Sequence, residues 1–282
     1  MCYYSNRMIL SQNFIKSPVL VKDLLSVSSL TSSDLVVEIG PGKGIITQEL
    51  LNKVSMVIII EKDRELFSLL KHNFSGYSNL QLINQDFLVW NLPKKPYKIF
   101  SNIPFSITAD IITKILKSPQ KPVEMYLIMQ LEAANKYCLS KTFNNQDGIL
   151  LSPIYDIQIL GDIDRTAFTP KPQVDIVFVK FILKKIPLIN LEGYQQFRDF
   201  VIFGFNQWKP NIFEIYKKIF SYDQFKKINH QLKINSLKPS QLSVDQWYNF
   251  FEIYKKFVSP QKQKFVIGFE KVYSNKIKVK NL

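Results

Sequence analysis

Asn102-Ile103-Pro104-Phe105 is the stretch whose residue types point most sharply to a chemistry. The amino nitrogen of adenine is a poor nucleophile, because its lone pair is delocalised into the ring. A protein that alkylates it must hold the amino group so that electron density localises on nitrogen. Two acceptors can do this: the side-chain oxygen of Asn102 and the main-chain carbonyl of Ile103. Pro104 stiffens the turn and biases Ile103 toward an extended conformation. Phe105 gives a flat apolar face on which an extruded base can stack. Asn102 and Phe105 are therefore the candidate catalytic residues. Alone, Asn-x-Pro-aromatic also reads as an ordinary turn; its place at the end of a predicted strand, downstream of a glycine turn, gives it weight.

That glycine turn is Val36-Val37-Glu38-Ile39-Gly40-Pro41-Gly42-Lys43-Gly44. A β-branched apolar run drops into three alternating glycines, and an amphipathic run from Ile45 to Val54 follows. This is strand, tight turn, helix, the opening of a doubly wound α/β sheet. A dinucleotide turn would place a third glycine at 45, where this chain has Ile. The G-x-G-x-G spacing favours a nucleoside bound without a pyrophosphate, as in S-adenosylmethionine enzymes, with Gly40 and Gly42 against the ligand. A plain structural turn is the other reading.

Two carboxylates are spaced to join it. Ser55–Glu61 is a second strand, apolar enough to be buried on both faces. Glu61 at its carboxyl end can accept from both ribose hydroxyls, or simply start the helix that follows. Leu80–Asn84 is a third strand, and Asp86 beyond it can accept from an adenine amine or cap a turn. The fourth strand, Tyr97–Ser101, leads into Asn102. Ligands of open parallel sheets bind outside the carboxyl ends of the strands, where all these residues fall.

The other elements frame this set. Ser17-Pro18 supplies a cap and a first-turn proline for a helix to about Ser29, preceded by Asn13 in a loop. Thr108–Leu116 reads as a helix and Val123–Gln130 as a fifth strand, with another helix starting at Leu131. Asn144–Gly148 has turn chemistry, and Ile149–Leu160 and Val174–Leu183 read as the last strands. The proline-rich segment between them is either a rim beside the base pocket or a rigid connector. From Leu188 the texture changes to helical runs, 193–207, 211–220, 223–232 and 244–258, rich in aromatics and lysine pairs: Lys217-Lys218, Lys226-Lys227 and Lys255-Lys256. Such pairs suit phosphate contact or a solvated helix face. A basic tail from Lys262 is expected to pack loosely. The expected division is a sheet domain, 1–185, and a small all-helical basic domain, 186–282, that binds RNA.

Net charge is +14, and 16 of the 37 Lys and Arg but only 7 of the 23 Asp and Glu lie from Ile186 onward. That excess suggests a polyanion partner, nucleic acid before membrane. Cys2 and Cys138 make no disulfide framework and fit a reducing, cytoplasmic compartment. No apolar run approaches a membrane span, so no membrane partner is expected. No Cys/His cluster marks a metal site, and neither His72 nor His230 lies near the strand ends. Methyl transfer needs neither, since a sulfonium is already a good leaving group and the work is alignment.

Residues 11 to about 185 resemble the Erm and KsgA-type rRNA adenine N6-dimethyltransferases. The resemblance is carried by Ser11-Gln12-Asn13-Phe14, Glu38–Gly44, Glu61 with Asp63, Asp86, Asn102–Phe105, and Phe168-Thr169-Pro170-Lys171-Pro172-Gln173-Val174-Asp175. It implies a Rossmann-like methyltransferase sheet and S-adenosylmethionine as methyl donor, with contacts at Asn13, Ile15, Gly40, Glu61, Asp86 and Asn102. It also implies rRNA as partner and a monomer. The family most often has Tyr at position 105; Phe keeps the stacking face and drops the hydroxyl, which leaves the number of methyls open. Ile103 after the Asn, Met129-Gln130-Leu131-Glu132 and Asp245-Gln246-Trp247 are closer to the Erm type, which acts on 23S rRNA and gives macrolide, lincosamide and streptogramin B resistance. A KsgA-type enzyme acting on 16S rRNA, a non-catalytic nucleic-acid-binding relative and a DNA adenine methyltransferase are the alternatives.

Overall fold

The computed structural model describes residues 13–140 and 142–280. Ser11, Gln12 and Cys2 lie outside them. In chain order, β1 (Phe14–Ile15) is followed by α1 (Pro18–Ser26), β2 (Leu35–Ile39), α2 (Ile45–Leu51), β3 (Met56–Glu61), α3 (Arg64–Asn73), β4 (Leu80–Asn84), β5 (Lys98–Asn102) and α4 (Thr108–Lys117). Then come β6 (Glu124–Gln130), α5 (Leu131–Tyr137), α6 (Gln146–Leu151), β7 (Tyr155–Ile163), β8 (Phe168–Thr169) and β9 (Ile176–Leu183). The helices α7 (Leu191–Phe205), α8 (Ile212–Tyr216), α9 (Tyr222–Leu232), α10 (Val244–Phe257), α11 (Pro260–Gln263) and α12 (Phe269–Lys280) complete it.

Seven strands form one mixed sheet in the order β4-β3-β2-β5-β6-β9-β7. The five from β4 to β6 are parallel, and β9 runs antiparallel to β6. This is the Rossmann-like methyltransferase sheet. The order reverses between β2 and β5, so the switch point lies between the strand that ends in the glycine turn and the strand that ends in Asn102. All five residues of β2 are buried, as a central parallel strand requires. At the amino end of β5, Lys98 bonds Asp34 and Glu124, each at 3.1 Å, with all three side chains largely buried.

By contacts the chain divides into two compact units. One comprises residues up to Ala134 together with Gln158–Leu183; the other comprises Asn135–Ile157 and the residues from Lys184 onward. The second is organised around Phe200, whose ring centroid lies 4.8 Å from those of Tyr216 and Tyr254 and 5.0 Å from that of Phe250. Gly204 makes room for this cluster, since a Cβ there would stand 2.6 Å from Trp247.

Two expectations are corrected. Residues 146–151 are a helix, not loop running into strand, and the strand that follows begins at Tyr155. The basic tail is helical, and its start is pinned to α7: Asp199 accepts from the amides of Gly268 and Glu270 at 2.8 and 2.9 Å, and Arg198 pairs with Glu270 at 2.5 Å. Among the described residues no helix is long and apolar enough to cross a membrane.

Candidate active site

The glycine turn is built by three left-handed residues, with φ of 61° at Gly40, 59° at Gly42 and 85° at Gly44. Side chains are excluded there by strain and also by neighbours. A Cβ on Gly42 would stand 2.6 Å from the Phe14 ring, and one on Gly44 2.5 Å from the Phe74 ring. Glu38 pins the turn from beneath: Thr47 of α2 donates to its Oε2 at 2.6 Å, tying the strand before the turn to the helix after it. Burial pushes the Glu38 carboxyl up to about 8, against the pull of that hydroxyl.

β2 and β5 part as they reach the site. Their register runs only through Val36–Lys98 and Val37–Ile99. Beyond it the buried Ser101 hydroxyl takes over, accepting from the Ile39 amide at 3.2 Å and donating to the Ile39 carbonyl at 2.6 Å. Gly40 and Asn102 therefore leave the sheet side by side.

Asn102 donates through Nδ2 to the main-chain carbonyl of Asn13 at 2.8 Å, and its Oδ1 is buried without a partner. Asn13, Phe14, Gly40, Asn102, Ile103, Pro104 and Phe105 line one cavity. Its volume is about 20 Å³, the room of a water rather than of a nucleoside. Asn13 and Phe14 are held there by the proline-rich segment: β1 pairs with β8, and Lys16 donates to the carbonyl of Ala167 at 3.0 Å. The segment thus holds the N-terminal strand in place.

Glu61 ends β3 next to the turn. Its Oε1 accepts from the Asp63 amide at 2.8 Å, while Oε2 is buried with no partner. Burial raises its pKa; the amides of Asp63 and Gly42 work against this. Asp86 lies past the end of β4, half-buried, with Lys62 on Oδ2 and the Leu88 amide on Oδ1, both at 2.8 Å. Lys62 acts on it most, and holds its carboxyl below the usual carboxylate range. Ile15 points into the hydrophobic core at 6 % exposure, so only its backbone is available to a ligand.

The structure thus brings Asn13, Gly40, Asn102 and Phe105 to one cavity, and Glu61 to Gly42 beside it. Two residues that the sequence reading left without a role belong to this region. Phe14 packs its ring on Gly42, and Glu38 braces the turn. Both stand in motifs that carry the family resemblance, but those motifs gave neither residue a contact; Glu38 was marked further as a carboxylate inside an otherwise apolar central strand. In the second unit, Lys217 and Lys255 each pair with a glutamate one turn back at 2.7 Å, whereas Lys218, Lys226 and Lys227 are exposed.

These residues suit the methyl donor expected from the sequence. A nucleoside with two ribose hydroxyls would meet an orphaned carboxylate oxygen on Glu61, and beside it Gly40, the turn glycine that no aromatic ring covers, in the same cavity lining as Asn102. Among the described residues no group of three His, Cys, Asp or Glu could hold a metal ion.

Comparison with known proteins agrees. The profile of the family described as ribosomal RNA adenine dimethylase matches residues 4–256. An rRNA adenine N-6-methyltransferase of Limosilactobacillus reuteri is 36% identical over 88% of this chain and 96% of its own length. A ribosomal RNA small subunit methyltransferase A of Acaryochloris marina is 28% identical over 84% of this chain and 93% of its own. The crystal structure of the 23S rRNA methyltransferase ErmE superposes with a TM-score of 0.77 at 23% identity, over 86% of this chain and all of that one, and shares the fold. The chain belongs to the ribosomal RNA adenine dimethylases, which are rRNA adenine N6-methyltransferases that take the methyl group from S-adenosylmethionine.

Proposed function

We propose that this chain methylates N6 of one adenine in 23S rRNA and so confers resistance to macrolide, lincosamide and streptogramin B antibiotics. S-adenosylmethionine supplies an electrophilic methyl group on a sulfonium, which leaves without acid assistance. The chain's own residues do the aligning. The glycine turn approaches the donor through its backbone, Asn13 and the Ile15 backbone flank it, and Glu61 Oε2 accepts from its ribose. Asp86 accepts from its adenine amine. Asn102 Oδ1 and the Ile103 carbonyl accept from the amino group of the target base, and Phe105 stacks on its ring. The proton released from nitrogen goes to water. The cavity at Asn102 has room for a water and not for a nucleoside, so the residues that would hold the donor include Glu61 and Asp86 at the strand ends beside it.

The observation that carries the catalytic reading is the orphaned Asn102 oxygen at the switch point, fixed by the bond of its own amide nitrogen to Asn13. The choice of 23S rRNA rests on Ile103 and the 129–132 and 245–247 segments. It is supported by the 36% identity to a relative named without reference to the small subunit, against 28% to one named for it. The basic second unit, with exposed Lys218, Lys226 and Lys227, is the proposed RNA-binding surface. Purified 23S and 16S rRNA incubated with labelled donor test this. Label in 23S alone is the expected result; label in 16S alone assigns the chain to the small-subunit enzymes, and label in neither to a non-catalytic role.

A further inference from the structure

The turn that follows β4 is clamped at both ends. At its start, Asp86 Oδ1 accepts from the Leu88 amide at 2.8 Å, and the Asp86 carbonyl accepts from the amides of Val89 and Trp90, both at 3.1 Å. At its end, the carbonyls of Phe87 and Trp90 both accept from Nζ of Lys114 in α4, the first at 2.5 Å. The same ammonium lies 5.1 Å from the centroid of the Phe87 ring, which is buried. A carboxylate where a run of aligned peptides begins and an ammonium where it ends is the favourable polarity.

Lys114 gives up solvent for this. Burial lowers its pKa, and the charge of Asp86 opposes that shift. The rest of the buried face of α4 is Thr108, Ile111, Ile112 and Ile115, which packing alone explains. A lysine serving only solubility would extend into water, and one serving only packing would be replaced by Met or Leu without an ammonium to satisfy. What this ammonium does is join two parts of the site. α4 follows directly on the Asn102–Phe105 segment, and the turn it grips carries Asp86.

We propose that Lys114 is the positioning residue that holds Asp86 where it selects a 6-amino purine in the methyl donor. The proposal rests on the role given to Asp86 above. An ionised carboxylate only accepts hydrogen bonds: a 6-amino group satisfies it, and a 6-oxo group sets two acceptors face to face. That discrimination is as sharp as the carboxylate is fixed. Lys62, whose exposed ammonium already holds Oδ2 at 2.8 Å, draws the carboxylate toward solvent once the turn is released.

The test compares S-adenosylhomocysteine with S-inosylhomocysteine by titration calorimetry on the full chain and on Lys114→Met. The wild-type chain is expected to prefer the amino ligand by about tenfold or more, and the variant to lose most of that preference. A variant that weakens both ligands by one factor, keeping the preference, overturns the proposal and leaves Lys114 a general support. If Lys114→Met does not fold, Lys114→Gln, which keeps a donor for one carbonyl, is titrated instead, with the same expected and overturning results. A wild-type chain that binds both ligands equally fails one step earlier: it removes Asp86 from adenine recognition, and the proposal with it.

Discussion

The amide nitrogen of Asn102 donates to the main-chain carbonyl of Asn13 across 2.8 Å, joining residues 89 positions apart. An amide has one donor end and one acceptor end, so engaging the nitrogen in this way decides where the oxygen points. That oxygen is left buried with no partner. An orphaned buried acceptor costs about 1–3 kcal/mol, and in the proposed function that cost is recovered when the amino group of the target base supplies the donor. On the proposed mechanism the N-terminal segment is therefore part of the catalytic device, because its Asn13 carbonyl orients the Asn102 amide.

Glu61 should govern donor affinity in the same way. Glu61→Gln keeps the shape of the side chain and replaces the charged acceptor by a neutral amide. Affinity for S-adenosylhomocysteine should fall about tenfold, since hydrogen bonds to charged groups are worth about 1.5–3 kcal/mol. Calorimetry checks this, and unchanged affinity removes Glu61 from the ribose site.

Glu38 makes stability depend on pH. Its carboxyl titrates near about 8 in the folded chain and at the ordinary 4.5 when released. Between those values the folded state holds a proton that the unfolded state has lost. The contribution of Glu38 to stability is therefore greatest below about 4.5 and is lost as pH rises through about 8. Glu38→Gln abolishes this contribution. The stability difference between wild type and variant should shrink by up to about 1.4 kcal/mol per pH unit between pH 5 and 8. Urea denaturation at three pH values across that range measures it; parallel profiles for the two proteins contradict the assignment.

Lys98 anchors the opposite end of the sheet. Removing it as Lys98→Met takes the ammonium partner from the largely buried Asp34 and leaves Glu124 with Lys180 alone, at 3.3 Å. Unfolding free energy should drop by about 3 kcal/mol. Because the contacts are remote from the strand carboxyl ends, donor affinity of the folded variant should be unchanged.

Affinity for rRNA should fall steeply with salt, because phosphate contacts release counterions. Replacing Lys226 and Lys227 together by Gln should lower the slope of log affinity against log salt by about 2. An unchanged slope takes these lysines out of the interface.

The parts of this architecture that were legible in sequence are those set by short-range pattern. Apolar strands β2 and β3, the glycines between β2 and α2, the Ser17 cap and the Asn-Ile-Pro-Phe tip all write their structure locally. What was hidden depends on neighbours far along the chain. Asn144–Gly148 has turn chemistry, yet the segment is helical from Gln146, with Gly148 packed so that a Cβ there would sit 3.0 Å from the Tyr137 carbonyl. The tail looked loose because its anchors, Arg198 and Asp199, lie about 70 residues upstream. Within the site, the glycine turn and Asn102 were readable. The Phe14 ring on Gly42 and the hold of Lys114 on the Asp86 turn were not, since a motif names Phe14 without saying what it touches and nothing local marks Lys114.

The most direct test of the account is primer extension on rRNA from cells carrying the wild-type chain or Asn102→Ala. The account predicts a reverse-transcription stop at one adenine of 23S rRNA with the wild type, together with macrolide resistance. With the variant it predicts loss of both, methylation falling about 100-fold or more. A stop of undiminished strength in cells carrying Asn102→Ala would contradict it.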